Sequence, residues 1–380
     1  MKIIYIANIR IPTEKAHGVQ IMEMCSAFAN AGNDVTLVVP KRLNNTNETP
    51  FDFYGIKENF KIVKLPVLDL VRFGKIGFWI QSTNFAKFAT IYSLFKKSDL
   101  IYSRDELPLW FLSFFKNNLV LEIHIAKNNF ISKRVFRKVK NIIAITQKLK
   151  DFYVKEYGVD EKKIFWSPDA VDLKNFLNLP DENILRKEFD IPSDKKVVTY
   201  IGKLKTMGKS KGVEDIIEVF PRILEKNKQA FFLLVGINKS EIEDIVKIFE
   251  KFNINQESYK LVTHIPKKKI PEYLKISNVL IMSYPNIEHY ALYMSPMKLF
   301  EYMASGNPIV ASGLPSIREI LNEENSVLVE PDNLDSLASG INIVLSDDLF
   351  AKKIGNQAFI DVQNYTWDKR VENIINFIKE

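Results

Sequence analysis

The 380-residue chain contains one cysteine, Cys25, and four histidines, His17, His124, His264 and His289. A single thiol excludes an internal disulfide and any cysteine-rich metal site, and it fits a reducing compartment. Cys25 lies in an apolar helical pattern and reads as inert core. No histidine falls in an H-E-x-x-H string or close to another, so no metal site is expected. Asp-x-Asp is missing, and with it the usual carboxylate grip on a metal-bound nucleotide diphosphate. Neither G-x-G-x-x-G nor G-x-x-x-x-G-K-[ST] occurs, which argues against a conventional nicotinamide site and against a P-loop. No uncharged apolar run reaches 18 residues, so no membrane-spanning helix is expected, and the apolar stretch after Met1 is too short for a signal peptide. There is no low-complexity segment and no repeat of 20–50 residues.

What is present is a globular composition, 46% hydrophobic and 26% charged. At this length two domains are expected. Charge is divided unequally: residues 1–180 carry a net +10 and residues 181–380 a net −3. The two halves should therefore meet different partners. Residues 130–140 hold five cations and no acid beside Phe130, Ile131, Val135 and Phe136, a pattern suited to an anionic membrane surface, with Phe51–Trp79 adding aromatic and basic residues. No nucleic-acid-binding module is found, and nucleic acid is not expected as a partner.

Apolar runs without strict alternation, separated by helical patterns, predict parallel strands covered on both faces. In the first half these are Lys2–Asn8, Asp34–Pro40, Lys61–Leu65, Leu100–Ser103, Leu119–His124, Asn141–Ile145 and Lys163–Trp166. The polar stretch 172–195, with Pro180 and Pro192, reads as the domain boundary. The pattern then restarts at Lys196–Gly202 and runs to helices closing the chain, with a short helix expected at 315–321. The fold class is α/β, as two doubly wound parallel sheets facing a cleft. The domains are 1–180, 181–365, and a terminal helix at 366–380 crossing back to the first. Ligands of such sheets sit at the carboxyl ends of strands.

Several residues carry chemistry in this frame. Ser295-Pro-Met-Lys-Leu-Phe-Glu reads as a helix start, with Ser295 as N-cap and Pro296 as the first helical residue. Lys298 in the first turn opposes the helix dipole unless an anion sits there; a helix mouth plus a lysine makes a phosphate site. Glu301, one turn on, is placed to accept from a sugar hydroxyl. Gly202 and Lys203 end a strand, and Lys211 precedes a helix, so the loop 203–212 (Met207 and two further lysines, Lys205 and Lys209, included) lies where a diphosphate would be held. Gly18, after the loop that follows the first strand, would let backbone approach a ligand closely. Alternation puts Glu122 and His124 on one strand face, with His124 at the carboxyl end where it can bond a sugar hydroxyl.

Together these segments resemble the family 4 retaining glycosyltransferases of the GT-B fold, with two Rossmann-like domains. The resemblance rests on the Gly18 loop, Asp169-Ala-Val-Asp172 before Phe176, Gly202-Lys203 with Lys211-Gly212, Ile270–Tyr284 leading into the helix at 296, and Tyr365-Thr-Trp-Asp-Lys-Arg-Val371. It implies that Lys203 and Lys211 contact the donor diphosphate, that Glu301 binds the ribose, that the backbone at Met297 and Lys298 meets phosphate, and that His124 contacts the transferred sugar. Gly18, Gly202, His264, Tyr293 and Ser295 join the donor site by the same resemblance. The family's first motif glutamate would stand at 293, where this chain has Tyr293. The implied activity is metal-independent transfer, with retention, from a UDP- or GDP-sugar to a glycan or polyprenyl-linked acceptor. No cofactor is implied beyond the donor. The expected location is the cytoplasm, at the inner face of the cytoplasmic membrane. Alternatives are a sugar-nucleotide epimerase and a non-catalytic binding subunit.

Overall fold

The computed structural model describes residues 1–44, 46–206 and 208–380. Met207 of the lysine loop lies outside them. The chain forms two compact units, Met1–Asp169 with Trp367–Glu380, and Ala170–Thr366.

The first unit is built on β1 (Lys2–Ile6), β2 (Asp34–Lys41), β3 (Lys61–Pro66), β4 (Leu100–Ser103), β5 (Leu119–Ile123), β6 (Asn141–Ala144) and β7 (Ile164–Trp166). They pair in parallel in the order β3-β2-β1-β4-β5-β6-β7. Chain direction across the sheet therefore reverses between β1 and β4, where Ile3 faces Leu100. β4, β5 and β6 are buried along their whole length, which is why they read as continuous apolar runs. The closing helix, Trp367–Lys379, belongs to this unit and buries Trp367, Arg370, Val371 and Ile374.

The second unit has β8 (Lys196–Ile201), a small hairpin of β9 (Lys205–Thr206) and β10 (Lys209–Ser210), then β11 (Ala230–Ile237), β12 (Tyr259–Thr263), β13 (Val279–Met282), β14 (Ile309–Ser312) and β15 (Val327–Val329). Its main sheet is parallel in the order β12-β11-β8-β13-β14-β15, and its reversal lies between β8 and β13. The apolar side of the Val213–Lys226 helix (Ile216, Phe220, Ile223) packs into the same core as Val198, Phe232 and Ile281.

Three expectations need correction. The units part at Asp169/Ala170, and 172–195 is no linker. It holds the helix Glu182–Glu188, capped by the Asp181 side chain, with Leu185 and Arg186 buried. Arg186 donates to the carbonyls of Lys195 (2.9 Å) and Ile276 (3.2 Å), so polar composition here marks a buried bonding network within the unit. Residues 315–321 form turns, because Ser316 gives its N–H to Ala291 O and its hydroxyl to Tyr290 O instead of bonding along a helix. Finally, the Phe130–Lys138 helix turns Val135 and Phe136 inward, leaving its cations outside.

An exposed apolar face lies on another helix. The Gly74–Phe95 helix buries Gln81, Phe85, Ala86, Ala89 and Ser93 on one side. On the other it exposes Ile76 (76%), Ile80, Phe88, Ile91 and Phe95 (86%), next to exposed Phe73. Its two faces are both apolar, so it lacks the one-sided pattern of an ordinary surface helix.

Candidate functional site

In the second unit the lysines converge at the sheet's switch point. Tyr200 is the penultimate residue of β8 and Tyr284 lies two residues past β13. Lys298 enters from the first turn of the Met297–Ser305 helix and places its Nζ 3.9 Å from the Tyr200 ring centre and 5.0 Å from that of Tyr284. A Cβ on Gly202 would stand 3.8 Å from the same Nζ. That nitrogen is buried and has no hydrogen-bond partner among the described residues. Two ring faces stabilise it only in part, since a cation–π contact replaces little of an ammonium's hydration. Burial accordingly pushes the Lys298 ammonium well below the usual lysine range; Lys211 adds repulsion and Glu301 opposes it. Lys211 is itself lowered to about 8, by burial first and by Lys203 second. Lys203, Lys211, Lys298 and Glu301 thus form one electrostatic cluster.

Local chemistry ties down the two ends of the loop, at Lys203 and Gly212. Gly212, at the cap of the Val213–Lys226 helix, has φ +77°, and a Cβ there would fall on the Ser283 carbonyl oxygen; only glycine fits. Ser283 Oγ donates to Gly212 O at 2.7 Å, joining the loop to the end of β13. Tyr200 Oη donates to Lys203 O at 3.0 Å, and the Ile201 N–H donates to Tyr302 Oη at 3.0 Å. Lys203 and Lys211 therefore stand next to backbone that is hydrogen-bonded to the ends of β8 and β13. The helix start differs by one position from the sequence reading: Pro296 is the N-cap, with no side-chain cap bond, and Met297 begins the helix, so Ser295 does not cap it.

In the first unit His124 and Glu122 meet as alternation requires, His124 Nε2 lying 2.6 Å from Glu122 Oε1. Glu122 is fully buried and also receives Gln20 Nε2 (2.6 Å), the Tyr102 hydroxyl and Arg370 (3.3 Å). Burial alone would raise its pKa, but Arg370 and then His124 and Arg104 hold it well below the carboxylate range. His124 is lowered to about 4 by burial and by Arg104, against the opposing pull of Glu122. The contact is therefore a bond from a neutral imidazole to a carboxylate at neutral pH, not an ion pair.

The other sequence candidates are not drawn into these clusters. Gly18 is demanded by packing, because a Cβ would collide with Tyr54 Oη and Thr13 Cγ2. His264 is exposed after β12, one of the sheet's two edge strands. Tyr293 ends the Glu288–Tyr293 helix, its hydroxyl 3.4 Å from Glu288 Oε1. No cluster of three or more His, Cys, Asp or Glu is arranged for a metal among the described residues. No described helix is long and apolar enough to cross a membrane. Sequence reasoning missed Tyr200, Tyr284, Gln20, Arg104 and Arg370. Only the tyrosines left a signal, as aromatic residues at the ends of the two strands that flank the switch point.

Comparison with known proteins places this architecture. The Anabaena protein Alr3699/HepE, solved in complex with UDP-glucose, superposes with a TM-score of 0.74 at 15% identity, covering 100% of this chain and 99% of the other. The fold is GT-B. The family models "Glycosyltransferase Family 4" and "Glycosyl transferases group 1" match residues 17–175 and 181–360, one on each half of the chain. The chain belongs to the family 4 glycosyltransferases. An uncharacterized glycosyltransferase of Methanocaldococcus jannaschii, MJ1607, is 25% identical over 245 residues, 63% of this chain and 59% of that protein. The capsular polysaccharide biosynthesis glycosyltransferase CapM of Staphylococcus aureus is 21% identical over 255 residues, 63% of this chain and 62% of its own length. The matched stretches thus span about three fifths of these relatives.

Proposed function

We propose that this chain transfers a sugar, with retention, from a UDP- or GDP-sugar to a glycan or polyprenyl-linked acceptor, and that lysines, not a divalent cation, carry the charge of the leaving diphosphate. The observation that carries this is the buried Lys298 ammonium without a hydrogen-bond partner, beside a Lys211 lowered to about 8. Such a cluster is costly alone and becomes favourable around an anion, which the helix start at Met297 also attracts. Lys203, Lys211 and Lys298 are assigned to the diphosphate, Glu301 to the ribose, and His124 to a hydroxyl of the transferred sugar. In the step itself, the anomeric C–O bond breaks with its electron pair leaving on the phosphate oxygen. The acceptor hydroxyl bonds the same face and gives its proton to the departing phosphate. Fixed cations aimed at the developing charge supply the stabilisation. The UDP-glucose-bound neighbour and the polysaccharide-pathway relative support donor class and acceptor class respectively.

A thermal-shift panel of UDP, GDP, ADP and their sugars tests the donor. A ligand at 100 times its Kd should add about 2.7 kcal/mol, and Lys298→Met should abolish the gain. No shift with any nucleotide would remove the assignment. Product analysis with an acceptor separates transfer from epimerisation.

The acceptor side is assigned to an anionic membrane surface, at the inner face of the cytoplasmic membrane. The feature that supports this is the solvent-facing apolar side of the Gly74–Phe95 helix. From Leu70 to Ser98 the sequence has five cations and no acid, and basic residues near anionic headgroups contribute about 1 kcal/mol each. The chain should sediment with vesicles containing phosphatidylglycerol and not with purely zwitterionic ones. Ile80→Asp with Ile91→Asp should lower that binding at least ~10-fold; unchanged sedimentation would discard this helix as the contact.

A further inference from the structure

The closing helix lies outside both family matches, which end at residues 175 and 360, yet it feeds the centre of the first unit. We infer that Arg370 and Glu122 are positioning residues that lock the His124 imidazole as its Nε2–H tautomer, so that Nδ1 is the acceptor offered to a ligand hydroxyl. The inference rests on the reading of His124 as a sugar-contacting residue and names the chemistry it can recognise.

Glu122 Oε1 lies 2.6 Å from both Gln20 Nε2 and His124 Nε2. Its Oε2 takes the Tyr102 hydroxyl and Arg370 at 3.3 Å. Arginine only donates, and the buried tyrosine is pushed far above its ordinary pKa by burial and by Glu122, so its hydroxyl keeps its proton. The Gln20 amide is oriented too: its oxygen accepts from Arg104 at 2.7 Å, leaving the NH2 end for Glu122. Three certain donors converge on Glu122, which is therefore an ionised, acceptor-only group. The fourth neighbour, His124 Nε2, must then carry a hydrogen.

Arg370 fixes where that carboxylate sits. It donates to Pro168 O (2.7 Å) and Ser167 O (3.0 Å), just beyond β7, and lies against Met24 Sδ. The guanidinium is thus anchored to backbone of the unit it serves. A neutral His124 with a hydrogen on Nε2 has only Nδ1 to present. That nitrogen accepts from a hydroxyl or an N–H; it repels a carboxylate or phosphate oxygen. The group opposite His124 is accordingly a hydrogen-bond donor of the ligand, and with His124 read as a sugar contact that donor is a hydroxyl.

Nitrogen-15 NMR of the intact, histidine-labelled protein at neutral pH reads the tautomer directly, the signal being assigned by its loss in His124→Asn. The expected spectrum shows His124 neutral, with a protonated Nε2 and a bare Nδ1. A protonated Nδ1 with bare Nε2, or an imidazolium, overturns the inference without any variant. In Glu122→Gln the amide NH2 faces the ring, and the tautomer should change to Nδ1–H, with kcat/KM falling about 10-fold while the nucleotide-induced thermal shift stays the same. Arg370→Lys keeps the charge and should retain the tautomer. An unchanged His124 spectrum in a folded Glu122→Gln protein also overturns the assignment. Because the spectrum needs neither donor nor acceptor, an inactive chain would still give it. Loss of the transferase reading is thereby separable from loss of this one.

Discussion

Glu122 in the first unit and Lys298 in the second are both charges taken out of water beside the carboxyl end of a parallel strand. Glu122 is met by four polar side chains, one of them the opposite charge of Arg370. Lys298 is met by two aromatic faces, a repelling Lys211 and the opposing charge of Glu301. The first arrangement is complete within the protein. The second is incomplete, and the direction of the lysine pKa shifts records the cost. A satisfied buried network rigidifies what it touches; an unsatisfied one in a native fold calls for an explanation, and an absent ligand is a physical one. The difference predicts opposite responses to the same kind of mutation.

The largest effect should come from Arg370→Met. It leaves the Glu122 carboxylate buried without its cation, and such broken pairs cost about 3–5 kcal/mol. Denaturant titration should show that loss. Lys298→Met, close in volume and apolar, should leave stability unchanged or raise it while removing nucleotide-induced stabilisation. If Lys298→Met destabilised the protein as much as Arg370→Met, the contrast between a complete and an incomplete cluster would fail. Lys298 would then be a structural cation.

Much of the frame was readable because buried parallel strands have a one-dimensional signature. β4, β5 and β6 appear as apolar runs, and Gly212 and Gly306 punctuate helix ends where the backbone has positive φ. Lys298 was conspicuous because a cation in a first turn opposes the helix dipole. What stayed hidden depends on contacts distant in sequence. Arg370 reaches Glu122 across 248 positions, and nothing in the closing helix sets this arginine apart from an exposed one. Gly18 shows a related ambiguity: a glycine required because Tyr54 and Thr13 leave no room for a side chain looks, in sequence, like a glycine reserved for a ligand. The basic stretch 130–140 was also misjudged, because periodicity shows that a face is apolar and not whether the protein itself covers it. The helix Gly74–Phe95 escaped that test by being apolar on both sides.

The smallest effect is the pH response of Lys211, which separates the two clusters by the state of a single proton. Its folded pKa of about 8 lies below the ordinary 10.5. Between those values the unfolded chain binds more protons than the folded one, so this residue's contribution to stability rises with pH through that window. Below about pH 8 both states hold the proton, and the penalty for a buried ammonium is at its full value. Lys211→Met should therefore gain stability over the parent at pH 7, by no more than about 3 kcal/mol, and the gain should shrink from pH 8 to 10.5. Tyrosine ionisation in that range is common to both proteins and cancels in the difference. A bound nucleotide diphosphate should reverse the sign of the environment and hold the proton on Lys211. Binding above pH 8 should then take up a proton, visible in calorimetry as a heat that depends on the buffer's ionisation enthalpy. A gain for Lys211→Met that stayed flat across the window, with no proton uptake on nucleotide binding, would mean that this lysine's charge is already answered within the protein, as that of Glu122 is.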